Sequence, residues 1–179
     1  MIYKTSYISP IGEIVLVSDG KNLTGLFLEG QGADDEAFVE STCDRQELPI
    51  LIKTKKWLDR YFANEKPLIR ELSLAPEGSN FRQGVWDILC DIPYGTVITY
   101  GDIAGMMARK MNKPIMAAQA VGGAVGHNPI SIIIPCHRVI GAGGNLTGFG
   151  GGINLKVKLL KHEGVDMTNF YIPKKGTAL

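Results

Sequence analysis

The sequence has 179 residues, of which 45% are hydrophobic, and its formal net charge is +1. This length allows one domain or two small ones, and the apolar fraction suffices for a packed core, which excludes an intrinsically disordered chain. The sequence shows no basic-then-apolar leader and no apolar run approaching membrane-spanning length, so we expect a cytoplasmic protein with no membrane partner.

The three cysteines, Cys43, Cys90 and Cys136, are odd in number and widely spaced. This usage fits free thiols in a reducing compartment. The three cysteines and three histidines show none of the paired spacings typical of metal ligands. We therefore expect no metal site and no cofactor.

Turn signals at Ser9–Gly12 and Asp19–Asn22 divide the first part of the chain into β-rich segments that predict an antiparallel meander. The predicted strands span residues 2–7, 13–17 and 23–28. An acidic run at residues 34–36 predicts the start of a short helix, and Pro49 the first position of a second one. Nothing in residues 1–70 assembles a chemical site, so we interpret this part as structural.

The two halves of the chain differ in net charge, which is positive in the second half because that half holds fewer acidic residues. Residues 81–179 hold 10 Lys and Arg against 5 Asp and Glu, whereas residues 1–80 hold 9 against 13. A surplus of this size is modest and also fits simple surface solvation. If the protein contacts nucleic acid, the contact is expected in the second half.

The second half begins with a helix predicted over residues 81–90. A capping box at Thr99–Asp102 predicts the start of the next helix, and a further helix is predicted from about Ile115 to Val125. Two helices joined by a short basic connection favour a helix-turn-helix.

The last of these helices contains or adjoins Gly122, Gly123 and Gly126. Each glycine costs about 1 kcal/mol of helix stability relative to alanine, so something should offset the cost. Close packing against another helix is one explanation, and a smooth surface that lets the backbone approach DNA is the other. Only Gln119 is equipped to read or displace a base, so such a helix would bind DNA with little sequence preference.

A cysteine and a histidine follow a run of three isoleucines, Ile132–Ile134. The run predicts a short strand buried on both faces, which Pro135 ends. Because cysteine attacks as the thiolate, His137 and Arg138 beside Cys136 supply a base and a positive charge. A buried structural cysteine next to a hydrogen-bonded histidine explains the same pair without chemistry.

A glycine-rich loop over residues 146–152 is suited to fold over a flat ligand, with Phe149 as an apolar wall. A helix is predicted over residues 155–162. Its inward positions are Leu159 and Leu160, and its outward positions are Lys156, Lys158 and Lys161. The tail from Asp166 has few anchors and is expected to fray.

Six segments of the second half form a pattern that extends well beyond Cys136. They are Phe81–Trp86, Pro93–Tyr100, Ala120–Ala124, Asn128–Pro129, Ile134–Ile140 and Leu159–Gly164. In this order they resemble the O6-alkylguanine-DNA alkyltransferases, a family also called methylated-DNA protein-cysteine methyltransferases. The string from Pro135 to Val139 is highly specific, whereas residues 1–75 match only in length and in their strand-then-helix character.

The resemblance implies an α+β protein of two domains. Residues 1–75 would form an N-terminal α/β domain with a small antiparallel sheet, similar to ribonuclease H. Residues 76–167 would form a mostly helical, winged-helix-like domain that contains the helix-turn-helix and the alkyl acceptor, and residues 168–179 a tail.

Members of this family are expected to flip a damaged guanine out of the duplex and transfer its O6-alkyl group to a cysteine once, irreversibly and stoichiometrically. By resemblance, Cys136 is the acceptor, His137 is its base acting through a water, and Glu163 orients the imidazole. Asn128 is the hinge between the recognition helix and the active-site loop, and it tightens the site by hydrogen bonding.

By the same resemblance, Tyr100 contacts the flipped guanine, and the backbone of Cys136 helps to line the base pocket. The residues implied to bind substrate or DNA are Tyr100, Gln119, Arg138, Val139, Phe149 and Gly150. The implied partner is double-stranded DNA carrying O6-alkylguanine, bound through its minor groove by a monomer. O4-alkylthymine is left open as a second substrate.

The sequence departs from the family pattern at Gln119, where better-known members place an arginine finger with more charge and reach. Some relatives also carry zinc in the first domain, but residues 1–75 offer only Cys43 and no histidine. Two other functions remain open. A non-enzymatic lesion-binding protein would not need Cys136, and a thiol hydrolase would need an oxyanion hole and a peptide groove that the sequence does not reveal.

Overall fold

The computed structural model describes residues 1–31, 42–44 and 47–174, so the short helix predicted from residue 34 lies outside the described residues. The chain divides into two compact units. The first unit contains residues 1–77 and 129–133, and the second contains residues 78–128 and the chain from 134 onward.

A four-stranded sheet in the order β3-β2-β1-β4 forms the first unit. Its strands are β1 (Ile2–Ser9), β2 (Gly12–Ser18), β3 (Leu23–Leu28) and β4 (Thr42–Asp44). Strands β1, β2 and β3 pair antiparallel, which confirms the predicted meander, and β4 adds a parallel edge beside β1.

Helix α1 (Pro49–Phe62) begins at a proline, as predicted, and packs on the first three strands. Its apolar positions recur at helical spacing, so they lie on one face. The buried side chains of that face include Leu51, Trp57, Leu58 and Tyr61. The Trp57 indole satisfies its one donor on the Leu68 carbonyl at 3.0 Å, which keeps the buried ring hydrogen-bonded.

The isoleucine run after residue 129 does not form the predicted strand. The amide of Leu26 donates to the Pro129 carbonyl at 2.8 Å, and the Ser131 amide donates back to the Leu26 carbonyl at 3.2 Å. The chain then turns at Ile132, whose φ of 68° is incompatible with an extended strand. The strand prediction is wrong, but the burial prediction is right, because Ile132, Ile133 and Ile134 are at most 1% exposed.

Three helices that pack on one another form the core of the second unit. They are α2 (Asn80–Cys90), α3 (Tyr100–Lys110) and α4 (Ala118–Gly126). The Thr99–Asp102 capping box is confirmed, with both reciprocal bonds present. Helix α4 begins at Ala118 rather than at Ile115, and the buried Trp86 of α2 donates to the Ala124 carbonyl of α4 at 2.9 Å.

A two-stranded parallel pair, β5 (Ile98–Thr99) and β6 (Val139–Ile140), and helix α5 (Ile153–His162) complete the second unit. The expected fraying of the tail is wrong for residues 166–174. Tyr171 exchanges backbone hydrogen bonds with Gly144 and Leu146 at 3.0 and 2.9 Å, and Phe170 packs against the cluster around Ile140. Residues 175–179 lie outside the described part.

The predicted α+β class is confirmed by a small sheet in the first unit and helices in the second. Among residues 1–31, 42–44 and 47–174, no helix is both long enough and apolar enough to cross a bilayer.

Candidate active site

Cys136 begins a single 3-10 turn, Cys136–Arg138, that leads directly into β6. The turn is fixed on both sides. The Cys136 amide donates to the Ile134 carbonyl at 2.8 Å, and the side-chain amide of Asn128 donates to the same carbonyl, also at 2.8 Å. Asn128 follows helix α4 closely, so it ties the end of that helix to the residues that carry the sulfur. Cys136 itself is 5% exposed.

Three charged or ionisable side chains meet behind the cysteine. Nε2 of His137 lies 2.6 Å from Oε1 of Glu163, which caps the end of α5. Arg138 binds the same carboxylate with two parallel hydrogen bonds, from Nε at 2.8 Å and Nη2 at 3.0 Å. The backbone amide of Gly95 adds a further hydrogen bond, to Oε2 at 3.1 Å. Glu163 is therefore held on both carboxylate oxygens.

The protonation of this cluster follows from its partners. Burial by itself would raise the pKa of Glu163, but hydrogen bonds and charge from His137 and Arg138 outweigh burial and hold that pKa well below its usual range. Burial lowers the pKa of His137 against the opposing pull of Glu163, so the imidazole is neutral at pH 7. An ionised carboxylate only accepts hydrogen bonds, so Nε2 carries the proton and Nδ1 is the ring's acceptor.

Nδ1 of His137 is buried and makes no hydrogen bond to any of the described residues. A buried acceptor of this kind needs an explanation, and a base waiting for a proton is one. Burial also raises the pKa of the Cys136 thiol, although a hydrogen bond from Asn128 and the charge of Lys156 oppose the rise. The resting sulfur is therefore a thiol, and attack requires that its proton be removed first.

Tyr100 and the glycine-rich loop form another part of the site. Tyr100 is 3% exposed, and its hydroxyl donates to the carbonyls of Thr147 and Gly148 at 3.3 and 3.0 Å. Val139 is fully buried, Phe149 is partly buried and Gly150 is exposed. The contact of Tyr100 with a flipped base stays a prediction.

Arg138, which the family resemblance places among the residues that bind substrate or DNA, is buried. Its side chain is 7% exposed, and besides Glu163 it donates to the Ile92 carbonyl at 2.7 Å and lies 5.6 Å from the centre of the Tyr94 ring. These contacts use the guanidinium to hold Glu163 in place. We therefore expect a positioning role for Arg138.

Gln119 is exposed on α4. An added Cβ at Gly123 or at Gly126 would meet no atom within 4 Å. The open space at these two positions argues against close helix packing as the reason for these glycines.

Lys156 is a residue that sequence reasoning missed. We predicted that it points outward, but its side chain is completely buried, with Nζ hydrogen-bonded to the carbonyls of Val139 and Thr147. The helical spacing indicated that Lys156 is buried, because it lies three and four residues before Leu159 and Leu160, which point inward. Lysine was assigned to the surface on residue type alone.

No group of three or more His, Cys, Asp and Glu in the described ranges is arranged to hold a metal ion. The geometry instead is typical of proteins with a cysteine nucleophile, since the residue that follows Cys136 carries a neutral imidazole oriented by a buried carboxylate.

Two family models match the chain in succession. The ribonuclease-like domain of 6-O-methylguanine DNA methyltransferase matches residues 2–76, and the DNA binding domain of 6-O-methylguanine DNA methyltransferase matches residues 80–165. The methylated-DNA--protein-cysteine methyltransferase of Haemophilus influenzae is 42% identical over 163 residues, which cover 90% of this chain and 86% of that protein.

Solved structures agree with this result. The crystal structure of the Mycobacterium tuberculosis O6-methylguanine methyltransferase superposes with a TM-score of 0.76 at 37% identity, over 98% of this chain and 97% of that one. The crystal structure of Mycobacterium tuberculosis OGT in complex with DNA gives a TM-score of 0.76 at 40% identity, over 90% and 93% of the two chains. This chain belongs to the 6-O-methylguanine DNA methyltransferase family.

Proposed function

We propose that this protein repairs DNA by transferring the alkyl group of O6-alkylguanine irreversibly to Sγ of its own Cys136. The observation that carries the proposal is the Cys136, His137 and Glu163 arrangement in a chain of this family. A thiol that is protonated at rest needs a base, and Nδ1 of His137 is a buried acceptor whose tautomer is fixed by Glu163.

In the proposed reaction, the thiol proton passes to Nδ1 of His137 through an intervening water. The thiolate then attacks the alkyl carbon, so that the S–C bond forms as the C–O6 bond breaks, and the electron pair of that bond leaves with the guanine. The guanine takes up the proton held by the imidazolium and is restored as neutral guanine. The thioether left on Cys136 has no route back to a thiol, so each chain acts once.

The low exposure of Cys136 supports base flipping, because a sulfur this recessed does not reach an atom inside a stacked duplex. We propose that the flipped base is bound near Tyr100, with Val139, Phe149 and Gly150 along its pocket. Asn128, which is hydrogen-bonded to the segment before the sulfur, is proposed to hold that segment to the DNA-binding helix.

We propose that α4 lies in the minor groove and binds with little sequence preference. Its exposed face offers Gln119 and the open positions at Gly123 and Gly126, and the helix carries no charged residue. Such a surface permits a close approach to the sugar-phosphate backbone but reads few base edges. Action as a monomer is proposed from the family resemblance, and the need for a reduced Cys136 supports a cytoplasmic location.

The function is tested by incubation with a duplex that contains one O6-methylguanine. We expect mass spectrometry to find one added methyl per chain, on the peptide that bears Cys136, with no further turnover when the duplex is in excess. Cys90 provides a matched control, since it is a second free thiol whose pKa burial raises to about 11. Cys90→Ser should accept the methyl and Cys136→Ser should not. Repeated turnover, or methyl on Cys90, would contradict the proposal.

The placement of α4 is tested by Gln119→Arg. A new cation against phosphate releases about one counterion, so binding to undamaged duplex should tighten and the slope of log K against log salt should steepen by about 0.9. Ile8→Arg adds the same charge to the exposed part of β1 in the first unit and serves as the control. Equal responses of the two variants, measured by fluorescence anisotropy at several salt concentrations, would count against α4 lying on DNA.

A further inference from the structure

Lys156 is fully buried, and none of the described residues forms an ion pair with it. Its side chain is 0% exposed, and Nζ donates to the carbonyls of Val139, Thr147 and Gly148, the last two at 2.8 and 3.4 Å. The ion pairs found among the described residues do not include it. Burying an ammonium without a carboxylate is costly, so a buried lysine that persists calls for a compensating role.

The surroundings of Lys156 point to the sulfur. Val139, whose carbonyl Nζ binds, follows the 3-10 turn that Cys136 begins. Burial lowers the pKa of Lys156 to about 8, and charge on Cys136 opposes that change. Charge on Lys156 in turn opposes the rise that burial causes in the pKa of Cys136. Both residues are buried, and Nζ binds the carbonyl of the residue three positions after Cys136, so the ammonium and the sulfur belong to the same buried segment.

Two further titratable groups are close enough to matter. The Tyr100 ring centre lies 6.0 Å from Nζ, and burial raises the pKa of its hydroxyl, so Tyr100 is neutral and contributes no charge. The charge of Lys156 lowers the pKa of His137, whereas the hydrogen bond between Nε2 and Glu163 raises it. Glu163 therefore balances the charge on the imidazole.

We propose that Lys156 is a positioning residue for alkyl transfer, whose buried ammonium stabilises the Cys136 thiolate as the proton leaves the sulfur. This inference rests on the proposed function. Lys156 keeps its own protons throughout, and only the charge on the sulfur changes before the S–C bond forms. A cation held by three carbonyls cannot swing away, so its field at the sulfur needs no rearrangement during the reaction.

A purely structural role is the alternative, because the same three hydrogen bonds tie β6 to the loop at residues 147–148. Three substitutions separate hydrogen bonding from charge. Lys156→Met removes both, Lys156→Gln keeps donors but no charge, and Lys156→Arg keeps both. Lys158→Met, which makes the same change at an exposed position of α5, is the matched control.

The readout is the ionisation of Cys136 without DNA. Each variant is treated with iodomethane across a range of pH, and methylation of the Cys136 peptide is followed by mass spectrometry. We expect Lys156→Met and Lys156→Gln to be methylated about tenfold more slowly than the unmodified protein near about pH 7, where Lys156 is charged, and this difference should disappear above about pH 8, where Lys156 loses its proton. Lys156→Arg and Lys158→Met should stay close to the unmodified protein.

If Lys156→Met does not fold, as judged by urea denaturation, the comparison of Lys156→Gln with Lys156→Arg carries the test. A methylation rate near about pH 7 in Lys156→Gln equal to that of the unmodified protein would overturn the proposal in favour of hydrogen bonding alone. Since the assay contains no DNA, its outcome is separate from the proposed function, whose own failure would be absence of methyl transfer from the O6-methylguanine duplex.

Discussion

Glu163→Gln is expected to slow alkyl transfer to Cys136 by about 10⁴-fold, the scale seen when the buried carboxylate behind a catalytic histidine becomes an amide. The amide of glutamine can donate to Nε2 of His137, which favours the tautomer that places the proton on Nδ1, where the base is needed. The change also removes the negative charge that stabilises the imidazolium. Single-turnover transfer from an O6-methylguanine duplex measures the effect.

The same substitution is expected to lower the free energy of unfolding by about 3–5 kcal/mol, because it leaves the Arg138 guanidinium buried without its counter-charge. Rates should therefore be compared at a temperature where circular dichroism shows both proteins folded. Glu77→Gln, at an exposed position, is the control and should change neither quantity. A rate for Glu163→Gln within tenfold of the unmodified protein would exclude Glu163 from the reaction.

The pH dependence of stability gives Glu163 a second signature. Its pKa in the folded protein is lower than the unfolded value of about 4.3. Its ionised form therefore stabilises the fold above that pH, and this stabilisation is lost as the pH falls toward the folded pKa. Urea denaturation of the unmodified protein should show stability falling below about pH 4.3, and Glu163→Gln should flatten that fall.

Arg138→Met is expected to lower the free energy of unfolding by about 3–5 kcal/mol, the cost of breaking a buried ion pair by removing one partner. Arg138 makes two hydrogen bonds to Glu163 and one to the Ile92 carbonyl, and methionine replaces none of them. Urea denaturation measures the loss. Arg109→Met, at an exposed position of α3, should cost far less.

Two further measurements decide what Arg138 does. In the double variant Glu163→Gln, Arg138→Met, neither charge is left buried alone, so the combined loss should fall short of the sum of the two single losses by about 1–3 kcal/mol. The salt dependence of DNA binding should be the same in Arg138→Met as in the unmodified protein. A shallower salt slope with unchanged stability would instead show that Arg138 contacts phosphate, as the family resemblance first implied.

The sequence predicted those features whose signal is local. The meander followed from turn residues at fixed offsets, and the start of α3 followed from the spacing of Thr99 and Asp102, since both bonds of a capping box join residues three apart. The pairing of Cys136 with His137 is likewise visible in the chain, because the two residues are adjacent. Each of these predictions depends on contacts within a few residues.

Other features depended on contacts distant in sequence. Spacing could not distinguish Glu163 from the other acids, which number 18 in all, and only the family resemblance selected it before the fold brought it to His137 across 26 residues. The turn at Ile132 was invisible for the same reason, because the backbone of Leu26 fixes the chain just before it. A run of three isoleucines predicts that a segment is buried but does not predict which residues it contacts.

Residue type and position gave opposite answers at one charged side chain. Lysine is usually exposed, so Lys156 was assigned to the surface, although its spacing in the helix places it inside. The sequence by itself predicted Cys136 as the nucleophile and His137 as its base, and it identified the family. Only the tertiary structure decided which charges are buried around them, because the carbonyls and the carboxylate that make such burial possible come from separate parts of the chain.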